Sequence, residues 1–421
     1  MLTFNLKMNI LEYLKPALIV ILFIWISFLA PVVNTYVMFT FISILIVFIL
    51  IHLCLYKNHD KLFDKTERFF WIFLLTMISG IMNVKEPAVA YRHFWFFIFP
   101  IPILFFYTKL YFDQKYSLLI IRWICIMATF VCIFGIFELI TKQNFIYKIV
   151  YNMYYLVFDG ERMMSTQIHP APLGTYFVAI FPLSIALFLK EKNRLLRSFA
   201  IFYIAIIFIG INLTFSRGAF LGAFVSILIM VIFLSKRKKE IFVLLSILIF
   251  AMIILISSSS YLSGYFSFWR YSFGGLTLKI YYLRKIERFI MMLRMIKEHP
   301  FFGVGFGHFR VFFDSYTTNL ASVYSYDGKI ADCMHITFLA ETGLLGFGSF
   351  LIFVISLLKK VSISLKLTSS YEDKLFLLCF LSGFSAILAI FLTYDVLYWI
   401  APSYLFWSYA GILSSFGRTK Y

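Results

Sequence analysis

Charged side chains are scarce in this sequence, since Asp, Glu, Lys and Arg together make up only 14% of its 421 residues. Hydrophobic residues supply 62% and aromatic residues 21%, far more than in a soluble globular domain. No basic patch is interleaved with aromatics in the way that binds nucleic acid, so no nucleic-acid partner is expected. The composition predicts an all-α polytopic integral membrane protein.

Paired cysteine spacing is also absent. Of the five cysteines, four lie in apolar runs, and their spacing indicates neither a disulfide framework nor a zinc site. We therefore expect no metal and no other cofactor. The cysteines are Cys54, Cys125, Cys132, Cys333 and Cys379.

The apolar stretches predict about 12 transmembrane helices in a single bundle over 1–421. A helix needs about 20 residues to cross the hydrocarbon core of a bilayer. The first run lacks a small-x-small cleavage site and is longer than a signal-peptide core, so it is predicted to be a retained span. The segments are 16–33, 36–56, 69–82, 94–107, 117–140, 172–189, 198–215, 218–235, 241–258, 336–358, 375–393 and 397–414.

The cations predict the orientation of these spans. If the N-terminus is cytoplasmic, the inner connections hold more than half of the 38 Lys and Arg residues, as the positive-inside rule requires. Both termini are then cytoplasmic, and the net charge of +18 is mainly a topology signal. Residues 259–334 become a long extracytoplasmic loop between spans nine and ten. Arg217 and His335 face the same outer side.

Arg217 interrupts an apolar stretch at "NLTFSRGAFLG", where two short spans are predicted to fold back on each other. The guanidinium either snorkels to the membrane interface or, held in a partly dry site, grips a phosphate with its planar fork. The residue types leave both interpretations open.

The segment 281–309 predicts an amphipathic helix inside the long loop. Apolar residues recur at helical spacing, while Arg284, Lys285 and Arg288 fall on the opposite arc. Such a helix lies in the membrane interface, and binding of anionic lipid headgroups alone would explain its cations. The "GVGFG" that follows has no strand before it, so it predicts a tight glycine turn rather than a dinucleotide site.

His335 opens span ten in "CMHITFLAETGLLG", and Glu341 lies about two turns further into the span. A lone histidine at a helix start is commonly an interfacial residue, but it is also a candidate general base. A carboxylate at the depth of Glu341 usually faces a cavity or a cation. Upstream, "GERMMSTQIHPAPLGTYF" places Arg162 and His169 just before span six.

Taken in order, "SRGAF", "HPFFGVGFGHF" and "HITFLAETGLLG" resemble the O-antigen ligase and O-antigen polymerase superfamily of bacterial envelope polysaccharide assembly. "ERMMSTQIHPAPLGTYFVAIFPL" is similar to the upstream segment of that family. The motif region covers about 160–355.

The resemblance implies a metal-independent, inverting glycosyltransferase of the bacterial cytoplasmic (inner) membrane. Its partners would be an undecaprenyl-diphosphate-linked glycan, an acceptor glycan or glycolipid, and membrane lipids. It would join repeat units, as in O-antigen, capsule or exopolysaccharide assembly, or ligate the finished chain to lipid A-core in lipopolysaccharide biosynthesis. We favour the polymerase slightly, because a ligase requires that particular acceptor.

Residue by residue, the resemblance implies that His335 is the catalytic base and that Arg217 of the "SRG" motif holds the diphosphate. A second catalytic arginine precedes "HPFFGVG", and the tryptophan that often follows it in the family is missing here. Arg288 is preferred for this role and Arg284 is the alternative. Arg284, Arg162 and Glu341 are predicted substrate-binding residues.

Two other classes of protein remain as alternatives. A lipid-linked glycan flippase or transporter would place charges near the bilayer midplane and show repeated halves, whereas the polar residues here gather at one face and no repeat is visible. A membrane O-acyltransferase also uses a histidine within the bilayer.

Overall fold

The computed structural model describes residues 14–29, 35–55, 65–80, 84–144, 162–167, 169–234, 275–317 and 331–416. Within these ranges every regular element is helical and no strand occurs. The predicted span 241–258 lies outside the described residues. Long apolar runs that must satisfy their own backbone hydrogen bonds in lipid form helices, and the fold follows this rule.

Thirteen helices are numbered here in chain order. They are α1 Leu14–Phe28, α2 Thr35–Leu55, α3 Lys65–Ser79, α4 Pro87–Tyr111, α5 Ser117–Thr141, α6 Pro170–Lys190, α7 Arg194–Leu213, α8 Arg217–Phe233, α9 Gly275–Glu298, α10 Phe309–Tyr316, α11 Met334–Leu367, α12 Tyr371–Ile390 and α13 Ile400–Ser415.

Six of these helices are long and apolar enough to cross a membrane: α4, α5 (from Gln114), α6, α7, α11 and α12. Each predicted segment other than 241–258 coincides with a helix. The structure thus supports a polytopic membrane protein, while the count of about 12 spans stays a prediction.

Helix α6 lies at the centre of the bundle, and its apolar window is wholly buried. It packs against α5, α7, α8 and α12, while α4 packs against α13 and α3 packs against α11. Large aromatic side chains such as Trp407 and Tyr176 fill the space between the helices. This packing brings the α7–α8 turn, the start of α6 and the end of α12 to one end of the bundle, which we call the site end.

The opposite end of the bundle carries a buried ion pair and a cavity. Lys109 Nζ lies 2.6 Å from Glu67 Oε1, and both side chains are buried. A cavity of about 840 Å³ opens beside the start of α12, and its lining includes Lys15, Lys115 and Lys190. The site residues predicted from the motifs do not line this cavity.

Helix α11 is broken at Gly343, whose φ of 63° and ψ of −168° lie in a region that is almost exclusive to glycine. The first half of α11 therefore forms a separate short helix that carries His335. Residues 299–308 pack into the break as a tight turn, in which Gly303, Gly305 and Gly307 all have positive φ. The glycine turn expected from "GVGFG" is thus confirmed.

Candidate functional site

Arg217 is the first residue of α8 at the site end. The preceding Ser216 caps this helix, because its Oγ accepts a hydrogen bond from Ala219 N at 3.4 Å. A Cβ at Gly218 would collide with the hydroxyl of Thr393, so glycine lets the start of α8 approach the turn that follows α12. The Arg217 side chain is exposed at this position.

Arg162 lies beside the same α7–α8 turn. Its Nε donates a hydrogen bond of 3.2 Å to the carbonyl of Thr214, and Met163 N donates at 2.9 Å to the carbonyl of Leu213. These bonds place Arg162 next to the turn that leads into Arg217. His169 caps the start of α6 and stacks on Trp399, with ring centroids 5.2 Å apart.

Arg288 points into the protein from α9. Its side chain is 6% exposed, and Nη1 donates a 2.5 Å hydrogen bond to Asp332 Oδ2. One turn earlier, Lys285 Nζ donates to the carbonyl of Asp332. Burial lowers the pKa of Lys285, and the charge of Asp332 opposes that effect.

The outer face of α9 is apolar: Ile286, Phe289 and Leu293 are all about half exposed. Lys285 and Arg288 of the predicted cationic arc therefore face the protein, while Ile286, Phe289 and Leu293 face outward. Arg284 belongs to α9, but its side chain is outside the described residues. The choice between Arg284 and Arg288 stays a prediction, and the structure shows the contacts of Arg288 alone.

His335 lies in the first turn of α11 and is partly buried. Its imidazole contacts the rings of Phe347 and Phe391, at centroid distances of 6.1 and 5.8 Å. In the described parts of the chain, the imidazole forms no hydrogen bond with another protein group. Neither ring nitrogen is therefore engaged by the described part of the protein.

The turn at residues 391–395 contacts the segments that carry Arg217, Arg288 and His335. Phe391 contacts the ring of His335, and its carbonyl accepts a 2.8 Å hydrogen bond from Met334 N. Thr393 lies against the start of α8, beside Arg217. Asp395 accepts from the amide of Asp332, which in turn binds Arg288. This turn therefore links the positions of all three predicted catalytic residues.

Asp395 is the site residue that the sequence analysis missed. It is buried, and its oxygens accept hydrogen bonds from Thr337 Oγ1 at 2.5 Å and from Asp332 N at 3.2 Å. Burial raises the pKa of Asp395 from 3.8 to about 6, and the Thr337 hydrogen bond partly offsets this increase. The signal available in the sequence was a single acid after the apolar run of span eleven.

Backbone strain occurs next to the predicted catalytic residues. Phe215, two residues before Arg217, has φ of 49°, and Asp332, three residues before His335, has φ of 51°. Left-handed conformations cost about 1–3 kcal/mol for residues other than glycine and are concentrated at functional sites.

Glu341 is buried among backbone donors. Its Oε2 accepts from Gly307 N and its Oε1 from Phe309 N, both at 2.8 Å, and the Tyr398 hydroxyl also donates to Oε2. The sequence led us to expect a cavity or a cation. The observed partners are instead two backbone amides and a hydroxyl. The predicted substrate contact of Glu341 stays a prediction.

Over the described ranges, no group of three or more His, Cys, Asp and Glu side chains is placed to hold a metal ion. The candidate site thus consists of cations, one uncommitted imidazole and two linked carboxylates.

A family model described as O-antigen ligase matches residues 201–351. The match includes Arg217, Arg288, His335 and Glu341, and it confirms the resemblance to the O-antigen ligase and polymerase superfamily. None of the curated proteins compared with the chain matches it.

Proposed function

We propose that this chain, whose residues 201–351 match a family model described as O-antigen ligase, transfers a glycan from undecaprenyl diphosphate to a sugar hydroxyl at the outer face of the bacterial inner membrane. The observation that carries the proposal is the turn at 391–395. It links Arg217, Arg288 and His335, which come from three separate helices.

The cations suit departure of the lipid diphosphate. Negative charge builds on the bridging oxygen as the glycosidic carbon–oxygen bond breaks, and fixed guanidinium groups in a partly dry site stabilise that charge better than water does. Arg217 is exposed at a helix start, where it can reach a phosphate at the membrane surface. Arg288 is held by Asp332, so its orientation is set before the donor binds.

The acceptor hydroxyl must lose a proton as it attacks the anomeric carbon. His335 is suited to take that proton, because an imidazole changes charge near neutral pH and its nitrogens are not occupied by protein partners in the described region. General base catalysis of this kind contributes roughly 100- to 10,000-fold. In our proposal the acceptor attacks opposite the diphosphate, which inverts the anomeric configuration.

The apolar face of α9 fits a membrane-bound donor. Ile286, Phe289 and Leu293 face outward while Arg288 faces the protein. A helix with this distribution lies in the interface with its apolar side in lipid. Arg288 would then meet a diphosphate whose polyprenyl chain stays in the membrane.

Purified protein incubated with its native lipid-linked repeat unit, in EDTA and with or without a separate acceptor, tests the proposal. Chain ladders without a separate acceptor would identify a polymerase, which we slightly favour. Transfer that requires lipid A-core or another acceptor would identify a ligase. No transfer under either condition would refute the proposal and favour a lipid-linked glycan flippase.

A further inference from the structure

The break in α11 is closed by reciprocal backbone hydrogen bonds with the glycine turn. Before the break, the carbonyls of Ala340 and Glu341 accept from Val304 N and Gly305 N, each at 3.0 Å. After the break, Leu344 N donates to the carbonyl of Pro300 at 2.9 Å. The groups that a broken helix leaves unpaired are thus satisfied by the turn.

The carboxylate of Glu341 adds a second set of bonds to the same turn. Its two oxygens accept hydrogen bonds from the amides of Gly307 and Phe309, and Phe309 is the first residue of α10. A carboxyl group suits this place, because its two oxygens accept several hydrogen bonds at once, and one of them caps the first amide of α10. The side chain is only 2% exposed, and both of its oxygens accept hydrogen bonds from protein groups.

The two segments that Glu341 joins carry different site residues. Helix α9, which carries Arg288, leads directly into the glycine turn, and the first half of α11 carries His335. These segments are tied at one end by the ion pair between Arg288 and Asp332. Glu341 ties them at the other end, where a glycine break would otherwise let the half-helix tilt.

We propose that Glu341 is a positioning residue, which fixes the half-helix bearing His335 relative to Arg288 and does not touch the substrate. The role rests on the proposed glycan transfer. Loss of the carboxylate should displace the imidazole relative to the donor while the diphosphate still binds. A displacement of about 1 Å costs roughly 100-fold in rate.

The test compares Glu341→Gln and Glu341→Ala with the wild type. Gln keeps the size and one acceptor oxygen but turns an amide donor toward the backbone donors of the turn, so it should impair the reaction even if the Ala variant does not fold. Ser349→Ala is the matched control. It removes buried hydrogen bonds from the second half of the same helix, where Ser349 Oγ donates to the carbonyl of Gly346 at 2.8 Å and lies 3.3 Å from the Thr76 hydroxyl of α3.

Three measurements separate positioning from substrate contact: the affinity for undecaprenyl diphosphate, the single-turnover rate at saturating lipid-linked repeat unit, and hydrogen exchange of the amides in 299–309. For Glu341→Gln we expect affinity within about twofold of the wild type, a rate lower by roughly 100-fold and faster exchange at Gly307 and Phe309. Ser349→Ala should change none of these by more than about twofold.

Any of three results would overturn the inference. A tenfold or greater loss of affinity for undecaprenyl diphosphate would make Glu341 a substrate contact, and a wild-type rate or unchanged amide exchange would show that it does not hold the half-helix. If the wild type itself transfers no glycan, the proposed function fails. The exchange measurement would still decide whether Glu341 holds the turn.

Discussion

At the scale of single residues, Arg217 and Arg288 have different surroundings. Arg288 is buried against Asp332, whereas Arg217 is exposed at the start of α8. A buried guanidinium is oriented in advance, while an exposed one can be approached by a phosphate from the surface. We therefore expect Arg217 to make the bidentate contact that grips the diphosphate.

Replacement of the Arg217 guanidinium by the single ammonium of lysine tests this contact. Arg217→Lys keeps the charge but cannot bind two phosphate oxygens in one plane, so turnover should fall by roughly 100-fold, as when one hydrogen bond to the transition state is removed. Single-turnover kinetics measure the loss. Arg310→Lys, at an exposed arginine of α10, is the control and should transfer glycan at the wild-type rate. Equal rates for the two variants would argue against the phosphate contact.

The second prediction concerns Asp395 and pH. Its pKa of about 6 in the folded protein exceeds the ordinary 3.8, so folding favours the protonated acid, and its ionised form at pH 7.5 costs on the order of 3 kcal/mol. Asn has the shape of the protonated acid and can donate to Thr337 while accepting from Asp332 N. Asp395→Asn should therefore raise the Tm at pH 7.5.

The sign of this effect sets its pH window. The contribution that Asp395 makes to the free energy of folding through its raised pKa is fully present below about pH 4. It is lost as the pH rises through about 6. The Tm advantage of Asp395→Asn should therefore shrink between pH 6 and pH 4. Thermal unfolding in detergent at several pH values measures this Tm difference. A difference that does not change with pH would contradict a raised pKa of the buried Asp395 carboxyl.

At the scale of elements, α11 is two helices joined by Gly343. A Cβ at this position would lie 2.5 Å from the carbonyl carbon of Phe301 and 2.6 Å from Gly303 N. The φ and ψ values are also almost exclusive to glycine. The break is thus built into the sequence, and the turn at 299–308 depends on it.

Gly343→Ala tests the break. We expect a loss of at least about 2 kcal/mol in the free energy of unfolding from backbone strain, with further loss from the collisions. Gly348→Ala is the control on the same helix, because a Cβ there meets nothing within 4 Å, and its stability should be unchanged or up to about 1 kcal/mol higher. Thermal unfolding of the two variants measures the difference. If they unfold at the same temperature, the break is not a constraint.

The elements show why sequence reasoning reached some features and missed others. The run 172–189 predicted α6 well, because Pro170 and Lys190 bound an apolar segment. Arg217, Arg288 and His335 each lay near a recognisable motif. The connection between Asp332 and Asp395 spans 63 residues, and that between Arg288 and Asp332 spans 44, so only tertiary contact reveals them.

At the scale of the whole molecule, polarity is distributed between the two ends of the bundle. One end gathers the α7–α8 turn, the start of α11 and the 391–395 turn. The other carries the Lys109–Glu67 pair and the lysine-lined cavity. The positive-inside rule assigns the site end to the extracytoplasmic face, where lipid-linked glycans would meet their acceptors, and that assignment stays a prediction.

The measurement that tests the central claim most directly is a single-turnover assay of purified wild type and His335→Ala with labelled lipid-linked repeat unit. Both transferred glycan and released undecaprenyl diphosphate are quantified. We predict equal amounts of the two products for the wild type. The rate of transfer by His335→Ala should be lower by at least about 100-fold, because this variant lacks the general base even when it is folded in the membrane. Wild-type rates in His335→Ala, or transfer without release of undecaprenyl diphosphate, would contradict the account.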